Sequence, residues 1–427
     1  MRRRVVTALV TVALGVAGLS SVAGAGEDGG LPEENVPSDQ PGVTDTEIRV
    51  GGVASETNPL GGDYASAFDG VKAFFEMVNS EGGIYGRELN LVAERDDQVG
   101  NNRSEVQALL TQEDLFAVMP VSTLVFAGAD LLEESGVPTF GWNINAEWGS
   151  EDEAGSPNMF GEKGSFLCFT CSGALLPWLT RELDAEKVGL LAYNVPQSSA
   201  CAEGVQASFD DYPSADVEFV DTSLAFGVTD LSAQVAQMRE DGVDFVTTCM
   251  DNNGALTLAR EMRLQGLDAV QYLPNAYNHE FIDENAEFFE GSYALTFFTP
   301  FETRPRPQGL KLFNKWMKEI GAERNENSLA GWINADLLVT GLELAGPEFT
   351  QADVVEQINA LTDYDAKGLL GGVDWTVQHA DRPDPICNAL SEIEDGKFKP
   401  AFGERGEPFI CFEKDAPRLP REPAVKG

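Results

Sequence analysis

The chain has 427 residues, of which 43% are hydrophobic, so it is long and apolar enough for two domains of ordinary size. Its formal net charge is −41. Because phosphate binding needs clustered lysine and arginine, this charge excludes nucleic acid as an expected partner. We interpret the charge as an aid to solubility in a salty or cell-wall environment.

The N-terminus has the three parts of a secretory signal peptide. Arginines at 2–4 precede a mostly apolar run at 5–19, and small residues follow up to Ala25, after which we predict cleavage. The alternative is a membrane anchor, but the run is shorter than the roughly 20 apolar residues of a span. No cysteine precedes Cys168, so this segment offers no thiol for a lipid anchor. We therefore expect an exported protein in the periplasm, the cell wall or outside the cell, with no membrane span in the mature chain.

Residues 26–42 are rich in glycine, proline and acidic residues and are predicted to form a disordered spacer. Strands and helices then alternate. Strands are predicted at 48–54, 89–93, 115–118 and 138–141, with helices at 64–79, 103–112 and 127–135. The alternation restarts with strands at 188–193, 217–221, 243–248 and 271–273, and helices at 166–182, 202–212, 231–240 and 254–265. This pattern predicts an α/β protein with two parallel sheets covered by helices.

The last third of the chain is predicted to contain one strong strand at 293–298 and three helices, within 305–320 and at 329–345 and 351–361. A hairpin is predicted from Leu390 to Phe402, with its turn at Asp395 and Gly396.

Six cysteines in an exported chain indicate disulfides. Cys387 and Cys411 flank the predicted hairpin, so we predict that they pair. Cys201 and Cys249 each follow a predicted strand of the same sheet, and we predict that they pair as well.

The remaining cysteines, Cys168 and Cys171, form a C-x-x-C motif. Such a motif also occurs in redox and metal sites, but the chain has only two histidines and no second C-x-x-C. We therefore predict a local structural disulfide and no metal site.

No catalytic pattern is present in the sequence. It contains neither a G-x-S-x-G elbow nor a P-loop lysine, and two histidines give little support to a general base or a triad. We therefore predict a protein that is not an enzyme and that needs no cofactor.

Small polar residues follow the strands of the first predicted sheet, where ligands bind in open α/β sheets. The candidates are Asn58, Gly61, Ser122, Thr123, Trp142 and Asn143. Ser122 and Thr123 can donate hydrogen bonds to a carboxylate or, alternatively, cap the next helix. Trp142 is either an apolar wall for a ligand or hinge packing.

The second predicted sheet offers a matching set of residues, Tyr193, Asp251 and Tyr277. Asp251 can receive an ammonium group, or it can act as the N-cap of the helix that follows. Because such groups recur at the same structural point in both halves, we favour a ligand site between the halves.

Several segments of the chain together resemble a known family. The most specific is a helix followed by N-x-x-G-G-I-x-G-R, at residues 79–87. Further segments lie at 48–78, 88–97, 137–143, 242–251, 288–301, 328–346 and 367–376. With these segments, the chain resembles the type I periplasmic binding proteins, in particular the branched-chain amino-acid-binding (leucine-binding) family that serves ABC transporters.

The resemblance implies two doubly wound α/β lobes with parallel central sheets, joined by a three-stranded hinge. It predicts a first lobe of residues 43–145 and 275–362, and a second lobe of residues 146–274 and 363–427. It also implies a monomer that captures an amino acid or a related small molecule between the lobes and delivers it to the permease of an ABC transporter.

By the same resemblance, the Ser-Thr turn of Ser122 and Thr123 binds the α-carboxylate, and Asp251 contributes to the ammonium site. Two positions depart from the family. The usual Ser-Ser is Ser-Thr here, and residues 197–201 replace a common Tyr-Gly. The departures leave open a binder of amides, urea-like solutes or aromatic acids. Because the same fold serves receptors, a ligand-sensing domain that works with a signalling partner is a further alternative.

Overall fold

A computed structural model gives the fold of the chain. It describes residues 35–149, 156–162, 164, 168–377, 379, 385–414 and 416–427. The predicted signal peptide at 1–25 and the spacer up to residue 34 lie outside the described residues.

The first sheet has five parallel strands in the order β2-β1-β3-β4-β5. Its strands are β1 (Glu47–Ala54), β2 (Glu88–Asp96), β3 (Ala117–Ser122), β4 (Thr139–Gly141) and β5 (Met159–Gly161). The connecting helices are α1 (Ser66–Ser80), α2 (Asn102–Gln112) and α3 (Ala129–Ser135), and a short 3₁₀ turn covers Ala146–Trp148. Every residue of β3 is buried, as expected of a central parallel strand with helices on both faces.

The second sheet runs in the order β14-β13-β11-β10-β9-β8-β6-β7, with β12 paired to β11. Strands β6 to β10 are parallel to one another, and β11 to β14 are antiparallel to their neighbours. Its strands are β6 (Lys187–Tyr193), β7 (Asp216–Leu224), β8 (Phe245–Cys249), β9 (Val270–Leu273), β10 (Tyr293–Thr296), β11 (Ile386–Glu394), β12 (Lys397–Ala401), β13 (Phe409–Phe412) and β14 (Ala424–Lys426). The helices of this lobe are α4 (Leu175–Glu182), α5 (Pro196–Asp211), α6 (Ser232–Asp241), α7 (Asn252–Gln265) and α8 (His279–Phe289). The predicted fold class, two α/β lobes with parallel sheets, is confirmed.

Three further helices return to the first lobe, namely α9 (Gln308–Ile320), α10 (Glu326–Ala345) and α11 (Gln351–Ile358). Helices α1 and α10 pack backbone against backbone. A Cβ atom at Gly70 would lie 1.8 Å from the Ser328 carbonyl oxygen, and one at Gly331 would lie 1.9 Å from that of Ala67. Only glycine permits this approach. The packing brings the first turns of both helices together, and Ser66 Oγ donates to Asn325 Oδ1 at 3.0 Å.

The lobe boundaries differ from those predicted at all three crossings. β5 belongs to the first sheet, although 146–274 was predicted as second lobe, and β10 belongs to the second sheet, although 275–362 was predicted as first lobe. Residues after 363 also still pack on the first lobe, since the Trp375 ring lies 5.3 Å from that of Phe160. The sequence pattern shows where a strand occurs but not which sheet it joins. Each predicted boundary therefore lies earlier in the chain than the crossing that the structure shows.

The end of the predicted spacer is held against the first lobe. Arg87 donates from one guanidinium nitrogen to the Val36 carbonyl oxygen and from Nε to that of Thr44. The Gln351 backbone N–H donates to Gln40 Oε1 at 3.1 Å. The prediction of disorder up to residue 42 is therefore wrong from Val36 onward, because a buried arginine supplies the contacts that composition alone does not reveal.

The cysteines form the three pairs predicted from the sequence, Cys168–Cys171, Cys201–Cys249 and Cys387–Cys411. The last pair joins directly opposed residues of the antiparallel strands β11 and β13. Within the ranges that the structure describes, no helix is long and apolar enough to cross a membrane.

Candidate ligand-binding cleft

Ser122 and Thr123 lie at the carboxyl end of β3 in the first lobe. Both are almost completely buried, and neither hydroxyl has a hydrogen-bond partner among the described residues. They do not cap the next helix, because α3 begins at Ala129 with Gly128 as its N-cap. Leaving a buried hydroxyl unpaired costs about 1–3 kcal/mol. The two hydroxyls are therefore suited to bind a polar group from outside the chain.

The buried carboxylate of Asp97 stabilises the turn of Ser122 and Thr123 through Ser55. Ser55 donates from Oγ to Asp97 Oδ1 at 2.8 Å, and its backbone N–H donates to the Ser122 carbonyl oxygen at 3.0 Å. Ser55 Oγ also accepts the Leu124 backbone N–H at 3.0 Å. Asp97 is held in turn by Asn102 Nδ2 at 3.0 Å. Sequence reasoning did not single out Ser55 or Asp97, although both follow predicted strands.

Asn143 and Trp142 follow β4, the strand next to β3. Asn143 is fully buried, and its Nδ2 donates to the Gly164 carbonyl oxygen at 3.0 Å. Its Oδ1 has no partner among the described residues. The half-buried Trp142 lies beside Tyr64, with ring centroids 5.8 Å apart and an interplanar angle of 34°. Trp142 thus forms an aromatic wall together with Tyr64.

The loop after β1 carries the candidates Asn58 and Gly61. Asn58 Nδ2 donates to the carbonyl oxygens of Ser55 and Gly62 at 3.1 and 2.9 Å, and Asn58 Oδ1 accepts the Leu60 backbone N–H at 3.0 Å. Its amide therefore shapes the loop. Gly61 is exposed at the tip with φ of 70°, a conformation that favours glycine. A direct ligand contact by either residue stays a prediction.

In the second lobe, Tyr193 and Asp251 form one unit. Tyr193 Oη donates to Asp251 Oδ1 at 2.5 Å, and the same oxygen accepts the Gly254 backbone N–H at 3.1 Å as the N-cap of α7. Burial and then the bond to Asp251 raise the pKa of Tyr193, which keeps its phenol protonated as a donor.

The Asp251 carboxylate also acts across the cleft on Tyr64 of the first lobe. Burial is the largest cause of the raised pKa of Tyr64, followed by the negative charges of Glu326 and Asp251. Both lobes therefore contribute to one partly aromatic and partly acidic region. Sequence reasoning missed Tyr64, which it placed only at the start of a helix.

Direct hydrogen bonds between described residues also join the lobes. Gln197 Nε2 at the start of α5 donates to Asn145 Oδ1 at 3.3 Å. Asn253 Nδ2 in the first turn of α7 donates to the Leu60 carbonyl oxygen at 3.4 Å. Both donors follow strands of the second sheet, so the strand-end rule that identified Asp251 applies to them as well.

The structure places Tyr277 in an aromatic cluster beside the second crossing. Its hydroxyl donates to Glu302 Oε2 at 2.6 Å and accepts the Phe301 backbone N–H at 2.7 Å. Its ring lies 4.6 Å from that of Phe398. Because the hydroxyl is already used within the protein, the role of Tyr277 in ligand binding stays a prediction.

In the described part of the chain, no group of three or more histidine, cysteine, aspartate or glutamate side chains is arranged to hold a metal ion.

Solved structures share this fold. The branched-chain amino acid transporter substrate binding protein of Streptococcus pneumoniae, in complex with isoleucine, is 19% identical, with 83% of this chain and 98% of that chain covered and a TM-score of 0.66. A branched-chain amino acid ABC transporter protein of Thermus thermophilus with bound valine is 17% identical, with 87% and 97% covered and a TM-score of 0.70. A fatty acid ABC transporter substrate-binding protein of Thermomonospora curvata is 18% identical, with 90% and 98% covered and a TM-score of 0.68.

None of the curated proteins matches the sequence. A family model described as periplasmic binding protein matches residues 47–389, from the first strand of the first sheet into β11. This match spans both lobes and the strand ends that form the cleft, and it confirms the resemblance found in the sequence. The chain belongs to the periplasmic binding protein family.

Proposed function

We propose that this protein is an exported receptor that captures an amino acid or an amino-acid-like molecule between its lobes and delivers it to an ABC transporter. It acts as a monomer that binds without chemical turnover. Members of its family are solute-binding proteins, and the structurally similar proteins from Streptococcus pneumoniae and Thermus thermophilus hold isoleucine and valine.

One observation carries the proposal. The hydroxyls of Ser122 and Thr123 are buried at the carboxyl edge of the first sheet, and no described residue forms a hydrogen bond with them. A carboxylate accepts hydrogen bonds from such hydroxyls, and charge-assisted bonds of this kind are about twice as strong as neutral ones. Asp251 of the second lobe supplies the opposite charge that an ammonium group requires.

Closure around the solute follows from this division of groups between the lobes. A ligand that touches both Ser122 and Asp251 gains contacts only when the lobes approach each other, so it stabilises the closed state. The interlobe bonds of Gln197 and Asn253 support such closure, because each holds the second lobe against the first.

The experiment is a thermal-shift screen of the mature protein with the twenty amino acids, followed by titration calorimetry of every compound that raises Tm. In the variant Ser122→Ala/Thr123→Val, the affinity for the best ligand should fall by about a hundredfold or more, since each bond to a charged group contributes about 1.5–3 kcal/mol.

Ser391→Ala is the matched control. Ser391 is a fully buried serine on β11 whose hydroxyl also lacks a described partner, but it lies within the second sheet and away from the strand ends of the cleft. Its affinity should equal that of the wild type. A folded protein whose Tm responds to no amino acid, or a double variant that binds as well as the control, would contradict the proposal.

A further inference from the structure

We infer that Asn143 makes the cleft selective for a solute whose bound end brings an N–H donor, as in an amino acid, a carboxamide or a urea, over a solute that offers only a carboxylate. The inference rests on the proposed function and concerns the same cleft. The observation behind it is the Asn143 Oδ1 atom, which is buried and has no hydrogen-bond partner among the described residues.

The orientation of the Asn143 amide is fixed by its surroundings. Nδ2 donates to the Gly164 carbonyl oxygen at 3.0 Å. Turning the amide over would place Oδ1 against that carbonyl, and two acceptors do not bond. The side chain also lies against β5, where a Cβ atom at Gly161 would come within 2.4 Å of Asn143 Cγ. Since none of the described residues donates to Oδ1, it remains an acceptor that a donor on a bound solute can satisfy.

The position of Asn143 places it at the cleft edge. Val118 of β3 is opposite Thr139 of β4, so continuing the parallel register by four residues sets Ser122 beside Asn143. Two residues further along, Asn145 accepts a hydrogen bond from Gln197 of the second lobe. The second lobe thus closes over this end of β4.

Asn145 does not compete for this role, because both ends of its amide are occupied. Its Nδ2 donates to the Thr123 carbonyl oxygen at 3.2 Å, and its Oδ1 accepts from Gln197 at 3.3 Å. Of the two asparagines that follow β4, Asn143 is the one whose acceptor no described residue uses.

The hydrogen-bonding groups at the cleft edge determine which class of solute fits. The hydroxyls of Ser122 and Thr123 either donate or accept, so they suit many polar groups. An amide oxygen only accepts. A bare carboxylate has no donor to give it and leaves Asn143 Oδ1 unpaired, whereas an ammonium or amide N–H satisfies it. A site that hydrogen-bonds a donor rejects analogues that lack the donor because its own buried group is left unpaired.

Matched ligand pairs test the inference by titration calorimetry at pH 7. The pairs are L-leucine with 4-methylpentanoate, benzamide with methyl benzoate, and hexanamide with methyl hexanoate, and the twenty amino acids are titrated alongside. Each pair keeps the carboxylate or carbonyl group that Ser122 and Thr123 contact and loses the N–H donor. In every pair that binds, the wild type should bind the N–H compound at least about tenfold more tightly, as expected for one unpaired buried acceptor. In Asn143→Leu, which has a similar volume and no acceptor, this preference should fall severalfold.

Asn334→Leu is the matched control, because Asn334 is also fully buried and its amide atoms also lack described partners, but it lies inside α10. It should keep the wild-type preference. If Asn143→Leu fails to fold, Asn143→Ser replaces the acceptor with a hydroxyl that can donate, and it should narrow the preference in the same way.

The outcomes separate the two proposals. If the compounds without an N–H donor bind the wild type as tightly as their N–H partners, or if the preference survives undiminished in a folded Asn143 variant, the inference is wrong and the receptor function stands. If no amino acid and neither member of any pair binds, the proposed function fails and the inference fails with it.

Discussion

At the scale of single residues, the motif that is most specific for the family forms a structural corner. Asn79 fastens the end of α1 to β2, because its Oδ1 accepts the Leu89 backbone N–H at 2.8 Å and its Nδ2 donates to the Leu89 carbonyl oxygen at 2.9 Å. Gly83 has φ of 72°, and a Cβ atom there would lie 2.0 Å from the Arg87 carbonyl oxygen. The motif identifies the fold for this reason and carries no information about the ligand.

Arg87 closes this corner and yields a prediction about stability. Its guanidinium is buried, bonds the carbonyl oxygens of Thr44 and Val36, and lies 6.0 Å from the Phe349 ring centroid. Arg87→Met keeps much of the stem but leaves both carbonyls without their donors. The free energy of unfolding should fall by about 3 kcal/mol, measured by urea denaturation.

The control for Arg87 is Arg103→Met, which removes an arginine that is 53% exposed and paired with Asp130. Exposed pairs of this kind contribute about 0–1 kcal/mol, so the change should be small. Equal losses in the two variants would show that the buried corner does not depend on Arg87.

At the scale of elements, the long strands and helices could be predicted from apolar spacing and from glycine at helix ends. α9, for example, lies within the predicted segment 305–320 and ends at Gly321 in the left-handed conformation. β5 was missed because three residues carry no measurable alternation. α8 was missed because its spacing is broken by the non-helical Asn285.

The candidate site could also be predicted only in part, since the sequence indicates its residues but not their side-chain contacts. The strand-end rule identified Ser122, Thr123, Asn143, Tyr193 and Asp251, because those ends are marked by the strands themselves. It did not reveal that Tyr193 and Asp251 bond each other or that Asn58 is used inside its own loop. Those pairings depend on side-chain directions that a single sequence does not contain.

The first turn of α5 should help to set the balance between open and closed lobes. Gln197→Ala removes the bond to Asn145 without touching Ser122 or Asp251. A neutral hydrogen bond contributes about 1 kcal/mol, so the closed fraction and the ligand affinity should each fall by about fivefold where the closed state is the minor one. The measurements are the radius of gyration by small-angle scattering without ligand, and titration calorimetry with the best amino acid.

Gln206→Ala is the control on the same helix, since the one described acceptor of Gln206 is the Ala202 carbonyl oxygen within α5. This variant should keep the wild-type radius of gyration and the wild-type ligand affinity. A Gln197 variant that matches this control in compactness and in affinity would show that the interlobe bond does not contribute to closure.

At the scale of the whole molecule, the excess of negative charge lowers the stability of the folded state. The sequence has 70 acidic and 29 basic side chains, so even complete ion pairing leaves 41 carboxylates without a cationic partner. Ion pairs such as Arg263 with Glu287 lie at the surface, where they contribute little to stability. A compact state with such an excess is destabilised by self-repulsion.

Added salt should therefore stabilise this protein. The Debye length falls from about 30 Å at 0.01 M to about 8 Å at 0.15 M, so most of the repulsion is screened over that range. Tm should rise by about 5 °C between 10 and 150 mM sodium chloride at pH 7, and more slowly above it. Calorimetric scans of the ligand-free protein measure this rise, and sucrose at matched osmolality separates screening from solute exclusion, because sucrose carries no charge.

A Tm that falls with sodium chloride would mean that ion pairs outweigh the net repulsion, and equal effects of sucrose and salt would rule out screening as the cause.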